Sequence, residues 1–443
     1  MKRIFLKAAA SVWLILLVAL LARMGFAWDQ ERKIPREVLG IVPFQQETGN
    51  IAYSLVHGQG YGSPFRRDTG PTAWLTPVYP FLIAGIFKIF GVETIPAFFA
   101  AVLLNSLFSA AACIPIFYIG KRVSGLGVAS AAAWFWALLP NAVMFPFEWI
   151  WDTSLSALLA AILLWATLAL AESGRWRDWC AYGLLWGFTL MTNPSLGSLF
   201  PFLLGWAAIR AYRPRSDAWS KPAMAFGLAI LCCVPWTIRN YQVFHKFIPL
   251  RSNLGLELYI GNNENYDPHG PQWPSPITKE REILRFFKMG EIPFAEEEMR
   301  KATRFMVAHP RVELRLTGLR VIAFYMGSAA PLRDFLESDS LLIKVIFVCN
   351  ALAALGALVG TMVLYRQRNP CAFPLTVFPA VFPCLYYVTH TSLRYRHPID
   401  PMLLLLLAVA ASWSWNTRAA RQPSESGSSV PAPISSSKPP KLS

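Results

Sequence analysis

Three carboxylates, Glu47, Glu148 and Asp152, and three cations, Arg239, Arg394 and Arg396, stand out as side chains able to do chemistry together. Glu47 lies in residues 43–91, PFQQETGNIAYSLVHGQGYGSPFRRDTGPTAWLTPVYPFLIAGIFKIFG, directly after the first apolar segment. The stretch also carries His57, Arg66, Arg67 and Asp68 among many Gly, Pro and aromatic residues. A carboxylate on an enclosed surface can remove the proton of an attacking hydroxyl. It can equally be an acid that a helix N-terminus favours through its dipole. The sequence around Glu47 leaves both readings open.

Glu148 and Asp152 occur in PFEWIWDTSLSALL. A spacing of four puts both on one face if the helix is continuous there. They would then bind a metal or position an acceptor. Asp-Thr-Ser before an apolar run is also an ordinary N-cap signature, which accounts for Asp152 but not for Glu148. Asn193 in TNPS reads as a helix cap beside the same surface, and His57 as a further positioning group.

Arg394 and Arg396 flank Tyr395 in SLRYRHPIDP, and Arg239 closes PWTIRNY. Guanidinium groups grip phosphate oxygens bidentately and stay charged at any working pH. Snorkelling to a bilayer surface is the alternative. His397 is one of only six histidines and has no partner at ligand spacing, so metal ligation is not expected there. Nothing in the sequence requires a cofactor, and a need for a divalent metal stays open.

The elements that must position these groups are membrane helices. Of 443 residues, 54% are hydrophobic and only 15% charged, and the mean hydropathy is +0.38. A soluble domain carries about 25% charged residues. The formal charge of +15 first suggests nucleic acid, but the basic residues cluster in short connectors between apolar runs, as the positive-inside rule expects. Nucleic-acid binding is therefore not expected. The seven cysteines lie mainly in apolar runs without a CxxC pair and read as small buried hydrophobes.

Segments of about 20 apolar residues fall near 4–28, 96–119, 127–146, 153–171, 179–193, 196–212, 222–240, 341–364, 371–389 and 400–417. The first has Lys2, Arg3 and Lys7 before it and reads as a retained signal anchor. Stretches 74–90 and 312–328 are ambiguous. Keeping both in the interface places Lys121, Arg122, Arg210, Arg213, Arg215, Arg366 and Arg368 on the cytoplasmic side. Arg311, Arg315 and Arg320 along one flank support a surface helix for the second.

The expected architecture is an all-α polytopic membrane protein of about ten spans with both termini cytoplasmic. Residues 1–240 form an N-terminal transmembrane module whose first outer loop, 29–95, carries the site. Residues 241–340 form an extracytoplasmic loop or lid, 341–417 the last membrane helices, and 418–443 a disordered cytoplasmic tail. Irregular backbone is excluded from lipid contact because its unpaired polar groups cost several kcal/mol each. The first outer loop must therefore fold at the surface against other parts of the chain. Glu47, Glu148, Asp152, Asn193, Arg394 and Arg396 then share one outer face.

The order of these features resembles the GT-C membrane glycosyltransferases, in particular bacterial relatives of the protein O-mannosyltransferases and the aminoarabinose-to-lipid-A transferases. Glu47, the following GQGY, TPVYPFLIAGIFKIFG, EWIWDTSLSALL, PWTIRNY and RYRHPIDP carry the likeness. It implies a GT-C-like helix bundle in the bacterial inner membrane. It also implies transfer of a sugar from a polyprenyl-phosphate carrier to a lipid, glycan or protein acceptor at the outer face, with Glu47 catalytic. Where the family commonly has Asp, often in an Asp-Glu pair, this chain has Gln46-Glu47. Arg394 and Arg396, with Arg239, would hold the departing lipid phosphate. The rival readings are a transporter or lipid flippase, which would place charge at mid-membrane, and a non-catalytic scaffold.

Overall fold

A computed structural model describes residues 11–65, 68–211, 219–266 and 274–419, with backbone alone for 416–419. The basic N-terminus (Lys2, Arg3, Lys7), Arg66, Arg67, Arg213, Arg215 and the tail beyond 419 lie outside the described residues. Those described form an all-helical bundle, with one isolated β-bridge between Gly62 and Pro71.

Each of the ten expected spans has a helical counterpart. Six are long and apolar enough to cross a bilayer unaided: Val12–Glu31, Ile95–Ser124, Thr153–Leu170, Ser220–Phe244, Leu341–Arg366 and Leu393–Trp415. Leu126–Leu138 and Pro140–Glu148 make a seventh, bent by 42° where Pro140 cannot continue the ladder of amide donors. The others are shorter: Trp176–Thr192, Phe200–Ala211, and the pair Ala372–Val381 and Cys384–Val388. The chain is thus a multi-pass membrane protein.

Close helix pairs in the bundle meet at small residues. Gly183 and Gly187 face Ala225, Ala229 and Cys232 of Ser220–Phe244, and Gly356 and Gly360 face Leu406 and Leu407 of Asp400–Ala419. A Cβ on Gly360 would stand 2.1 Å from the Leu406 carbonyl oxygen. Four-residue spacing of glycines lets backbones approach this closely, which is how helices associate when lipid removes the hydrophobic drive.

The two ambiguous stretches form helices that do not qualify as spans. Val78–Phe90 has 13 residues, about 20 Å of helix against a hydrocarbon core of about 30 Å. Pro310–Met326 has 17 residues with Arg311, Glu313, Arg315 and Arg320 among them. Arg320 corrects the surface-flank expectation. It is buried and donates to Glu313 at 2.9 Å, the Gly261 carbonyl at 2.5 Å and Asn262 at 2.8 Å. A buried guanidinium is tolerable when both terminal nitrogens are paired like this, and here it ties that helix to the start of the 241–340 segment. Arg23, inside the first membrane helix, is likewise buried and satisfied by Ser109 and the Ala19 and Ala137 carbonyls.

Segment 241–340 packs onto the first loop through aromatic residues. Its helix Glu280–Met289 is amphipathic and turns Ile283 and Phe286 inward. Phe286 meets Phe65 at 4.8 Å, Trp74 at 5.6 Å and Phe294 at 5.3 Å between ring centroids, each edge-on as ring quadrupoles favour. The first loop and this segment thereby form one roof over the end of the bundle.

Candidate functional site

Beneath that roof lies a cavity of about 1190 Å³. Glu47, Asp152, Asn193, Arg251, Glu257 and Arg394 line it, with Trp74, Trp149, Trp151, Tyr386 and Tyr395 among its aromatic walls. These residues come from distant parts of the chain, and the cavity is where they converge.

Glu47 begins the helix Glu47–Val56, behind Gln46 in extended backbone. The helix rests directly on the turn Val42–Phe44: a Cβ at Gly49 would stand 2.0 Å from the Phe44 carbonyl oxygen, so only glycine fits. That contact sets where the helix starts and hence where Glu47 points. The carboxyl is pushed up to about 7, chiefly by burial. Its own backbone N–H, the charge of Arg394 and a hydrogen bond from Trp74 oppose the shift, while the charge of Glu257 adds to it. A carboxylate tuned to that range is half-ionised near neutrality, which suits a general base.

Asp152 and Glu148 do not share a face. The helix Pro140–Glu148 stops at Trp149, whose backbone is extended (φ −125°, ψ 98°), and the next begins at Thr153. The spacing of four therefore spans a break. Glu148 is exposed and outside the cavity lining, whereas Asp152 is buried in it. Asp152 makes no side-chain cap bond; it accepts from the Ser156 hydroxyl at 3.0 Å instead. Burial raises its carboxyl above the usual range against the charges of Arg251 and Arg394. Asn193 does cap, accepting from the Ser195 amide at 3.1 Å while donating to Ser156 at 3.1 Å.

The arginines divide sharply. Arg394 lies over the rings of Trp149 (4.6 Å), Trp151 (4.4 Å) and Tyr395 (5.0 Å). Its guanidinium donates to the Tyr395 hydroxyl at 3.3 Å and forms no ion pair among the described residues. Stacking of this kind stabilises the cation while leaving N–H edges for a ligand. Arg396 sits outside the cavity, fully buried. It donates to Asp400 at 2.6 Å, to Asn350 at 2.7 Å and to the Tyr325 carbonyl. Arg239 is also outside the lining, donating to the Thr72 carbonyl at 2.5 Å and the Tyr61 carbonyl at 2.7 Å. Both tie elements together. His57 is exposed, stacked on Tyr53 at 3.9 Å, and apart from the cavity.

Four charged groups of the cavity, Arg251, Glu257, Lys279 and Glu280, were not singled out in the sequence. Arg251 donates to Thr76 at 3.2 Å and the Thr192 carbonyl at 3.3 Å, with no carboxylate in ion-pair range among the described residues. Glu257 accepts from Asn253 at 3.0 Å and is 2.7 Å from His390 Nε2. Burial pushes Glu257 up, but His390, Arg394 and Arg251 outweigh it and hold the carboxyl below the usual range. Among the described residues no group of three or more His, Cys, Asp or Glu could hold a metal ion.

Residues 73–238 match the family model of dolichyl-phosphate-mannose-protein mannosyltransferase. The matched stretch includes Asp152 and Asn193, while Glu47, Arg251, Glu257 and Arg394 fall outside it. No curated protein matches the chain significantly. Among solved structures, the archaeal oligosaccharyltransferase AglB from Archaeoglobus fulgidus, in complex with an inhibitory peptide and a dolichol-phosphate, superimposes with a TM-score of 0.50. Its identity is 11% over 92% of this chain and 51% of that one, so the chain spans about half its length. ArnT from Cupriavidus metallidurans, bound to undecaprenyl phosphate, gives a TM-score of 0.37 at 13% identity over 87% of this chain and 78% of that one. In fold along most of its length, and in sequence over residues 73–238, the chain resembles the GT-C membrane glycosyltransferases.

Proposed function

We propose that the protein is a membrane glycosyltransferase that moves a sugar from a polyprenyl-phosphate carrier to a hydroxyl of a lipid, glycan or protein acceptor. The observation that carries this reading is the convergence of a near-neutral carboxylate, Glu47, with two cations that form no ion pair among the described residues, Arg251 and Arg394, in one roofed cavity. In the proposed reaction the acceptor oxygen attacks the anomeric carbon and its proton passes to Glu47. The bond from that carbon to the phosphate oxygen breaks, inverting the centre. The electron pair leaves with the polyprenyl phosphate, whose developing charge Arg394 and Arg251 stabilise. Asp152 and Asn193 would orient the sugar or the acceptor.

This reading moves the phosphate role from Arg239 and Arg396, whose donors are already used within the fold, to Arg251. It calls on side chains alone, without a metal or cofactor. It also places the cavity on the extracytoplasmic side, where the charge distribution of the connectors puts the first loop. A transporter would carry unpaired charge within its spans, whereas Arg23 is satisfied by the bundle itself. The test is incubation of the purified protein with a panel of polyprenyl-phosphate sugars. Release of the lipid phosphate from one of them supports the reading, and inertness toward every one removes it.

A further inference from the structure

Outside the cavity, at the start of helix Glu291–Ala308, lies a buried carboxylate for which the reaction has no use. Glu291 reaches out of segment 241–340 to two other pieces of the roof. One oxygen accepts from the Ala73 amide at 2.8 Å and the Ser252 hydroxyl at 2.7 Å. The other accepts from the Thr72 hydroxyl, which in turn accepts from the Trp74 amide at 2.9 Å. Ser252 closes the arrangement by donating its amide to the Ala73 carbonyl at 3.0 Å. Arg239 is the charged group acting from the membrane helix beside it, holding the Thr72 carbonyl from the other side.

The residues fixed this way are the immediate neighbours of cavity groups. Trp74, two residues beyond Thr72, lines the cavity together with Glu47. Arg251 precedes Ser252 and lines the cavity. We propose that Glu291 is a positioning residue: from outside the cavity it holds Trp74 and Arg251, at the same time, in the wall of the cavity that Glu47 shares. A carboxylate can do this because its two oxygens offer about four acceptor sites, and three donors from two segments use them here. The inference rests on the proposed roles of Glu47 and Arg251 and adds the coupling between them.

The test compares Glu291→Ala with Glu291→Gln in the full-length membrane protein. Glutamine keeps one carbonyl oxygen for Ala73 and Ser252 and turns its amide toward Thr72, so its turnover and pH profile should stay close to wild type. Alanine releases both segments. Turnover of a polyprenyl-phosphate sugar should fall about tenfold or more from misplacement alone. The acid limb of the rate profile should move upward, because the Trp74 side chain favours the charged form of Glu47. Infrared titration of the Glu47 carboxyl, identified by difference against Glu47→Gln, reads the same shift without any turnover. An alanine variant that inserts normally but leaves that midpoint unmoved overturns the proposal, as does a glutamine variant impaired equally. If the wild type turns over no donor, the proposed activity falls while the infrared shift still decides the role of Glu291.

Discussion

Arg394 and Arg396 are two residues apart and of one chemical type, yet their replacement should have opposite consequences. Arg394→Gln removes a guanidinium that is stacked on Trp149 and Trp151 and forms no ion pair among the described residues. A charge-assisted hydrogen bond is worth about 1.5–3 kcal/mol, so loss of one bond to phosphate should raise KM for the lipid-phosphate donor about 10- to 150-fold. The Arg394 charge also favours ionised Glu47, so the acid limb of the rate profile should move upward in the same variant. Arg396→Gln instead leaves Asp400, only 2% exposed and 2.6 Å from the guanidinium, with His397 Nδ1 at 3.2 Å as its remaining partner. Breaking a buried pair costs about 3–5 kcal/mol of stability. Thermal unfolding in detergent should show that loss, while KM of the surviving folded fraction stays near wild type. The assay is donor turnover against donor concentration, run beside a melting curve for each variant. The reasoning is refuted if Arg396→Gln raises KM while Arg394→Gln only lowers the melting temperature.

Three further outcomes follow from the same geometry. Turnover should rise with pH through about 7, where the Glu47 carboxyl ionises, and should fall about tenfold for each unit below that midpoint; a profile flat from pH 5 to 8 counts against Glu47 as base. Glu257→Gln removes a negative charge that raises the Glu47 carboxyl, so the acid limb should move downward, and an upward movement contradicts the assignment. Because the proposed steps use side chains alone, treatment with EDTA should leave turnover unchanged, and loss restored by a divalent ion would require a metal in the mechanism.

Much of the bundle was legible because lipid imposes a simple rule: apolar runs of sufficient length cross. The ambiguous stretches 74–90 and 312–328 both form helices too short or too charged to count as spans. Glu47 was legible as the acid of the first outer loop through the resemblance to the GT-C membrane glycosyltransferases. What failed was any inference that needed side-chain direction. Spacing of four across Glu148 and Asp152 assumed a continuous helix, and the chain breaks at Trp149. Arg394 and Arg396 looked equivalent, but residues i and i+2 do not share a helix face, so one lines the cavity and the other enters the bundle. Arg251 and Glu257, in LRSNLGLELYIG, resemble ordinary surface polarity. Only the docking of segment 241–340 through Phe286 onto Phe65 and Trp74 places them over the site, and no local pattern announces a contact between pieces so far apart.

The most direct measurement of the central claim is single-turnover sugar transfer by Glu47→Gln, made on protein whose melting curve and binding of polyprenyl phosphate match the wild type. A positioned general base contributes about 10²–10⁴-fold, so the variant should lose at least a hundredfold in the transfer step while still holding the lipid phosphate. Transfer within a few-fold of wild type would contradict the account.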